Sequence, residues 1–330
     1  HDVTVISRQP PEKSVSRRLV DGLRGQYTTG KDRHRTAYFD ALGPRHIQIP
    51  WKMPLEADDV PASDIVVATW WRTAFEVAAL PPEKGAKAYF VQHHEVHRDL
   101  PWDLSAGSYY LPLSKITIAD WLVDTMATRY DDPGVPKVEN SVDTSLFDAP
   151  PRTRAGDPTV GFLYAKTPFK GVDVTLEAIA RARSALPGLK VVAFGAVDPD
   201  PALPLPEGTQ YHKLPEQDRL RDIYAQCDIW LCGSRAEGFH LPPLEAMACR
   251  TPVVATRVGG TVETVSDGVN GYLVDVDDTA ALSARLVDVA SLSPGDWQSM
   301  SDAAHARAHA YTWDDATRAF ERELEKIIGL

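Results

Sequence analysis

Two glutamates eight positions apart, Glu237 and Glu245, are the residues of this chain best placed for chemistry. The apolar run 229–232 before them is typical of a buried strand. Pro242 and Pro243 between them suit the first turn of a helix, where a missing N–H costs nothing. Carboxylates accept hydrogen bonds from hydroxyl groups, so the pair predicts a sugar or ribose site around the start of this helix.

The backbone between the two carboxylates suits a phosphate. Gly238 lets the chain approach a ligand closely. The N–H groups from Gly238 through Phe239 and His240 to Leu241 would point away from the helix start, where they attract anions. Phosphate donors beside hydroxyl acceptors are the combination that a nucleotide-sugar requires.

The elements that must position this segment are alternating strands and helices. Short apolar runs of the buried parallel type are separated by helical patterns, which predicts a doubly wound α/β architecture. Ligands of such sheets bind beyond the carboxyl ends of the strands, so two facing domains would enclose a cleft. The expected strands are 3–6, 65–69, 88–91, 116–119, 160–163, 190–194, 229–232, 252–255 and 272–274, and the expected helices include 172–186, 242–249 and 279–292.

Length and composition set the limits of this interpretation. A chain of 330 residues suggests two domains, and 43% hydrophobic with 25% charged residues argues against long disorder. No apolar stretch approaches the roughly 18 residues of a membrane span. The net charge of -11 argues against a nucleic-acid partner.

The Pro/Gly-rich segment 148–158 predicts the domain boundary. We expect two domains, at 1–150 and 151–310, followed by a C-terminal helix at 311–330. The three cysteines match no metal spacing and fit a reducing compartment, so we expect a cytoplasmic protein.

A basic stretch stands against the acidic total. Residues 8–52 contain ten basic side chains, against five acidic ones in 1–52. The stretch predicts contact with an anionic acceptor or peripheral contact with the inner face of the membrane. The alternative is a solvated helix face followed by a loop.

Several segments in this order resemble glycosyltransferase family 4, which has the GT-B fold. EGFHLPPLEA is followed by RTPVVATRVGG and DGVNGYLV, and preceded by NSVDTSLF at 140–147 and FKGVDVTLEAI at 169–179. The opening HDVTVIS resembles the family's second strand, so we expect the first strand and its glycine-rich loop to be missing from this chain. The segment around 89–122 loosely resembles the rhamnosyltransferases of the family.

The resemblance implies that 1–150 is the acceptor-side domain, that 151–310 is the donor domain, and that the helix at 311–330 packs back toward the first domain. It also implies a role for each matching position. Glu237 would contact the donor sugar near its anomeric carbon, and Glu245 would bind the ribose hydroxyls. Gly238 and Phe239 would offer backbone N–H groups, and Lys170 would neutralise the diphosphate. Further donor-site candidates are Asn140, Lys166, His240 and Leu241.

Two departures from the family pattern qualify these roles. Phe162 stands where the family has an arginine, and Lys166 is the candidate replacement. His240 replaces a common glycine, so its ring would reshape the sugar pocket or bond a hydroxyl. The family also places a functional histidine after the strand at 88–91. His93 and His94 are the candidates, with His93 preferred because it comes first after the strand.

We expect no metal and no cofactor. The D-x-D segments at 198–200 and 275–277 read as turn and cap residues, and adjacent histidines such as those of 93–97 rarely share one ion.

The resemblance predicts a retaining hexosyltransferase that moves a sugar from a UDP-, GDP- or dTDP-linked donor, dTDP-rhamnose included, to a hydroxyl of a glycan or lipid-linked glycan. The alternatives are a glycoside hydrolase with paired glutamates and a non-catalytic nucleotide-sugar-binding subunit.

Overall fold

The computed structural model describes residues 1–8, 43–50, 54–96, 101–154 and 156–330. Most of the basic stretch 8–52 lies outside these residues, with only Arg8 and Arg45 of its basic side chains inside them. The predicted contact of that stretch with an anionic or membrane surface therefore stays a prediction.

Two parallel sheets form the N-terminal half. In the first sheet, β1 (Thr4–Arg8) pairs with β2 (Arg45–Ile49). The second sheet has the order β3 (Ile65–Ala68), β4 (Ala86–Val91) and β5 (Ser114–Thr117). Parallel neighbours need a crossover connection, and described helices lie in both connections of the second sheet.

Three described helices accompany these strands. Helix α1 (Trp71–Ala79) connects β3 to β4, α2 (Trp102–Ser108) lies between β4 and β5, and α3 (Asp120–Tyr130) follows β5. The inward residues Leu122 and Met126 of α3 are fully buried, so this helix completes the core of the N-terminal half.

The C-terminal half is built on one six-stranded parallel sheet. The strands are β6 (Thr159–Tyr164), β7 (Lys190–Gly195), β8 (Gln210–Lys213), β9 (Ile229–Cys232), β10 (Val253–Thr256) and β11 (Gly271–Val274). Their order in the sheet is β11-β10-β9-β6-β7-β8, so the chain winds outward from β6 in one direction and then in the other. The connection from β8 to β9 crosses back, and the switch point lies between β6 and β9. Ligands of open α/β sheets bind in the crevice at such a point.

The helices of this half follow the strands in the order that the sequence predicts. β9 and β10 are buried along their whole length, as strands covered on both faces should be. The predicted α/β architecture with parallel sheets is confirmed. The helices are α4 (Val172–Ala182), α5 (Gln217–Ala225), α6 (Leu241–Ala248), α7 (Thr261–Thr264) and α8 (Thr279–Ala290).

Two long helices end the chain. Helix α9 (Pro294–His309) packs against α6. Helix α10 (Trp313–Ile328) returns to β4 of the N-terminal half, where the Phe320 and Phe90 rings lie 5.0 Å apart. In the described parts of the chain, no helix is both long and apolar enough to cross a bilayer.

Candidate active site

The loops that follow β6 and β9 meet at the switch point. After β6, a 3-10 turn (Pro168–Lys170) ends at Gly171, whose φ of 56° lies in the left-handed region. A Cβ on Gly171 would clash with the Gly233 carbonyl, which follows β9. Glycine at 171 therefore lets the two loops touch, and the contact presents Lys170 to the second loop.

Glu237 and Lys170 form the centre of the site. The Lys170 ammonium lies 3.0 and 2.9 Å from the two Glu237 oxygens, and Ser234 Oγ donates to Oε1 over 2.7 Å. Burial raises the pKa of Glu237, but attraction to His240 and Lys170 and the hydrogen bonds from Lys170 and Ser234 outweigh it. The pKa of Glu237 thus lies below its ordinary value, and the carboxylate is ionised at neutral pH although it is 7% exposed.

His240 caps α6 with left-handed backbone, at a φ of 75°. This backbone conformation favours glycine, so a histidine at this position is unusual. Its Nδ1 lies 3.0 Å from Thr261 Oγ1, and its Nε2 lies 3.5 Å from Glu237 Oε1. Burial lowers the pKa of His240 to about 4, against the attraction of Glu237. The imidazole is therefore neutral at pH 7, and Lys170 is the charge that faces Glu237.

The start of α6 has the open backbone donors that the sequence predicts. Pro242 and Pro243 fall in its first turn. Within the described residues, no acceptor takes the N–H groups from Gly238 to Leu241. Phe239 buries its ring beside Gly260, so only its backbone is available. Such a cluster of donors at a helix start favours an anion.

Glu245 lies one turn into α6, where Tyr224 donates its hydroxyl to Oε2 over 2.6 Å. Burial raises the pKa of Glu245, and the bond from Tyr224 only partly opposes it. The second oxygen, Oε1, has no partner in the described part of the chain. It is therefore the atom that can accept from a ribose hydroxyl.

The two candidate histidines of the N-terminal half face different surroundings. His94 Nε2 lies 2.7 Å from the Tyr130 hydroxyl, with its ring packed against Tyr109. The His93 ring lies beside the loop after β9, because a Cβ on Gly238 would be 3.4 Å from the His93 Cδ2. His93 is thus next to the site, and His94 belongs to the aromatic packing of the N-terminal half.

The other candidate residues lie outside the cluster around Glu237. Lys166 Nζ is 3.5 Å from Asp200 Oδ2 at the surface, and not in the cluster around Glu237. Phe162 is 1% exposed in the core, so it cannot do the work of an arginine. Asn140 is half-buried in the connection after α3.

The D-x-D segments act as turn residues in part. Asp200 Oδ1 accepts from Ala202 N over 2.9 Å, as a turn residue should. The cap of α8 is not part of the second segment: it is Asp278, the next residue, which accepts from Ala281 N over 2.9 Å. Asp277 lies 2.6 Å from Arg235 Nε. Both segments are thus engaged with neighbouring protein groups.

Four contacts of the site were not expected from the sequence. Ser234 holds Glu237, Thr261 holds His240 and Tyr224 holds Glu245, while Trp121 Nε1 donates to the Gly238 carbonyl over 2.8 Å. Only Ser234, three residues before Glu237, is close enough in sequence to be suggested by spacing. The others come from distant elements.

Comparison with known proteins finds similarity to glycosyltransferases. Residues 157–291 match the family described as Glycosyl transferases group 1. The D-inositol 3-phosphate glycosyltransferase of Mycobacterium marinum is 30% identical over 61% of this chain and 47% of its own length. That of Acidothermus cellulolyticus is 30% identical over 69% of this chain and 54% of its own. The chain thus spans about half the length of these relatives.

Solved structures share the fold across the whole chain. HepE from Anabaena, in complex with UDP-glucose, has a TM-score of 0.74 at 15% identity and covers 99% of this chain and 100% of its own. A glycosyltransferase from Rickettsia africae has a TM-score of 0.73 at 17% identity and covers 99% of both chains. Residues 157–291 therefore match the family Glycosyl transferases group 1, the chain shares the GT-B fold of its structural neighbours, and the predicted resemblance to glycosyltransferase family 4 is confirmed.

Proposed function

We propose that this chain is a retaining glycosyltransferase that moves a sugar from a nucleoside-diphosphate sugar to an acceptor hydroxyl. The observation that carries the proposal is the Glu237–Lys170 pair at the β6/β9 crevice, beside a helix start with open N–H groups. The cation and the N–H groups suit a diphosphate. The ionised carboxylate suits the sugar.

The proposed step breaks the bond between the anomeric carbon and the diphosphate oxygen. Negative charge grows on the departing phosphate, where Lys170 and the N–H groups of α6 stabilise it. The acceptor hydroxyl attacks from the same face, forms the new carbon–oxygen bond, and passes its proton to the leaving phosphate oxygen. Glu237 stabilises the positive charge on the sugar. No metal and no separate strong base enters this step.

UDP-glucose is the first donor to test, because the Anabaena neighbour is solved with it. GDP- and dTDP-linked sugars, including dTDP-rhamnose, follow. The relatives are named for D-inositol 3-phosphate, so a polyol that carries a phosphate is the first acceptor to test. The basic residues of 8–52 suit such an anionic acceptor. They also suit a cytoplasmic enzyme that meets a lipid-linked glycan at the inner face of the membrane.

Glu237→Gln tests the proposal at its centre. The amide keeps the shape but cannot balance positive charge on the sugar, so kcat for transfer or donor hydrolysis should fall by about 100-fold or more. The Kd for the nucleoside diphosphate should change little. Glu177→Gln, on the exposed surface of α4, is the matched control and should keep the wild-type rate.

Retention of kcat in Glu237→Gln would contradict the proposal. Release of sugar from glycans without any nucleotide would instead point to a glycoside hydrolase. Donor binding with neither transfer nor donor hydrolysis in the wild type would point to a non-catalytic subunit.

A further inference from the structure

Three potential metal ligands from two parts of the chain meet outside the candidate active site. Asp148 belongs to the segment that connects the N-terminal half to β6, while His305 and His309 are one turn apart on α9. Their ligand atoms all lie within 4.8 Å of one another. Two imidazoles at positions i and i+4 of a helix share one face, so α9 presents both rings to the carboxylate.

One hydrogen bond orients the His309 ring as a metal ligand is oriented. His309 Nδ1 lies 2.9 Å from the His305 carbonyl oxygen, so it donates its proton there and leaves the lone pair on Nε2. A ligating histidine usually donates its other N–H to a carbonyl or carboxylate in this way. The two rings stack with centroids 3.9 Å apart, and both Nε2 atoms face Asp148 Oδ1.

The separations fit one small ion. Asp148 Oδ1 lies 2.8 Å from His305 Nε2 and 3.7 Å from His309 Nε2. Bonds of about 2.0–2.1 Å in tetrahedral zinc sites put ligand atoms about 3.3 Å apart. The two distances from Asp148 Oδ1 bracket that value, and all three ligand atoms lie within 4.8 Å of one another. Shifts of no more than about 1.5 Å would therefore complete the site.

The neighbouring cations are engaged elsewhere. Arg307, between the histidines in sequence, lies 2.6 Å from Glu139 Oε1. Arg250 is paired with Asp302 and donates from Nε to the Ala149 carbonyl over 2.8 Å. The side chain of Asp148 is 56% exposed, so water can reach the cluster and fill a fourth position.

We propose that Asp148, His305 and His309 bind one zinc ion, with water completing a tetrahedral site. Two imidazoles and a carboxylate suit Zn²⁺ among the common divalent ions. The ion would tie the connecting segment to α9. The site shares no residue with the Glu237 cluster, so it is independent of the proposed transfer reaction.

Titration of tag-free chain with Zn²⁺ at neutral pH tests this proposal, by calorimetry after removal of metal with a chelator. One ion per chain should bind, and His309→Ala and Asp148→Asn should each weaken Kd by about tenfold or more. His212→Ala on β8 and Asp288→Asn on α8 are matched controls and should keep the wild-type Kd. Circular dichroism of each metal-free variant should match the wild type, because the altered groups are at the surface.

Substitution with Co²⁺ gives a second readout. The visible absorption of a tetrahedral Co²⁺ complex should appear with the wild type and the controls, and be lost in His309→Ala. Absence of stoichiometric Zn²⁺ binding, or equal affinity in all variants, would overturn the proposal.

Discussion

Glu237 and Glu245 are chemically identical, but their surroundings drive their pKa values apart. Both are removed from water, which raises the pKa of a carboxyl group. Glu237 is compensated by Lys170 and Ser234, so its pKa falls. Among the described residues, Glu245 has only the Tyr224 hydroxyl as a hydrogen-bond partner, so its pKa stays raised. The eight-residue spacing predicts the pair, but these distant partners could not be found from it.

Glu245→Gln should raise the melting temperature at pH 8. A raised pKa means that the folded chain holds the proton more tightly than the unfolded chain, so stability is lost as pH rises through the folded pKa. Glutamine cannot ionise and escapes this loss. Thermal unfolding across pH should show the gain shrinking toward pH 4, where the wild-type carboxyl is protonated in both states. A gain that does not vary with pH, or a less stable variant at pH 8, would be inconsistent with the raised pKa.

The surroundings of His93 and His94 differ in a way that the sequence alone does not predict. Both follow β4, and the sequence favours His93 only because it comes first. The structure separates them because His94 packs between Tyr109 and Tyr130, while His93 lies against Gly238. Neither the tyrosines nor Gly238 is close to the histidines in sequence.

Strand prediction succeeded where strands are buried on both faces. The run at 229–232 coincides with β9, and the other apolar runs match their strands to within about three residues. β2 and β8 were missed, because RHIQI and QYHK mix polar with apolar residues. β8 is the edge of its sheet and is half-exposed, so it does not need a continuous apolar run.

Gly238→Ala should loosen the contact between the loops after β9 and β4. The added Cβ would clash with the Gln92 carbonyl, which is backbone and cannot rotate away. Overpacking of this kind costs about 1–3 kcal/mol, measurable by urea unfolding. Gly295→Ala is the control, because the nearest atom to its Cβ lies 4.0 Å away in the first turn of α9. Equal stability of the two variants would show that the loops do not meet as described.

The two halves are joined by polar contacts as well as by the returning helix. Glu263 of α7 accepts from Lys137 Nζ over 2.9 Å and from the Asp120 N–H over 2.8 Å. Trp121 adds its bond to Gly238. Motif order predicts two facing domains, but the residues that join them lie far apart in sequence and carry no shared pattern.

Phe320→Ala should weaken the attachment of α10. The Phe320 ring packs against Phe90 of β4 and is half-buried, so its removal should cost about 2 kcal/mol, less than a fully buried phenylalanine. Chemical unfolding monitored by circular dichroism measures the loss. Leu104→Ala on the exposed surface of α2 should cost much less. A Phe320→Ala chain as stable as Leu104→Ala would contradict the role of α10 in holding the halves together.

Nucleotide binding tests the central assignment of the β6/β9 crevice most directly. The measurement is the melting temperature of the wild type, Lys170→Ala and Glu237→Gln with UDP, GDP, dTDP and ADP. A ligand at about 100 times its Kd adds about 2.7 kcal/mol of stability to the folded state. We predict that at least one nucleotide raises the melting temperature of the wild type and of Glu237→Gln, and that Lys170→Ala removes most of the rise. No rise with any nucleotide, or an equal rise in Lys170→Ala, would contradict the assignment.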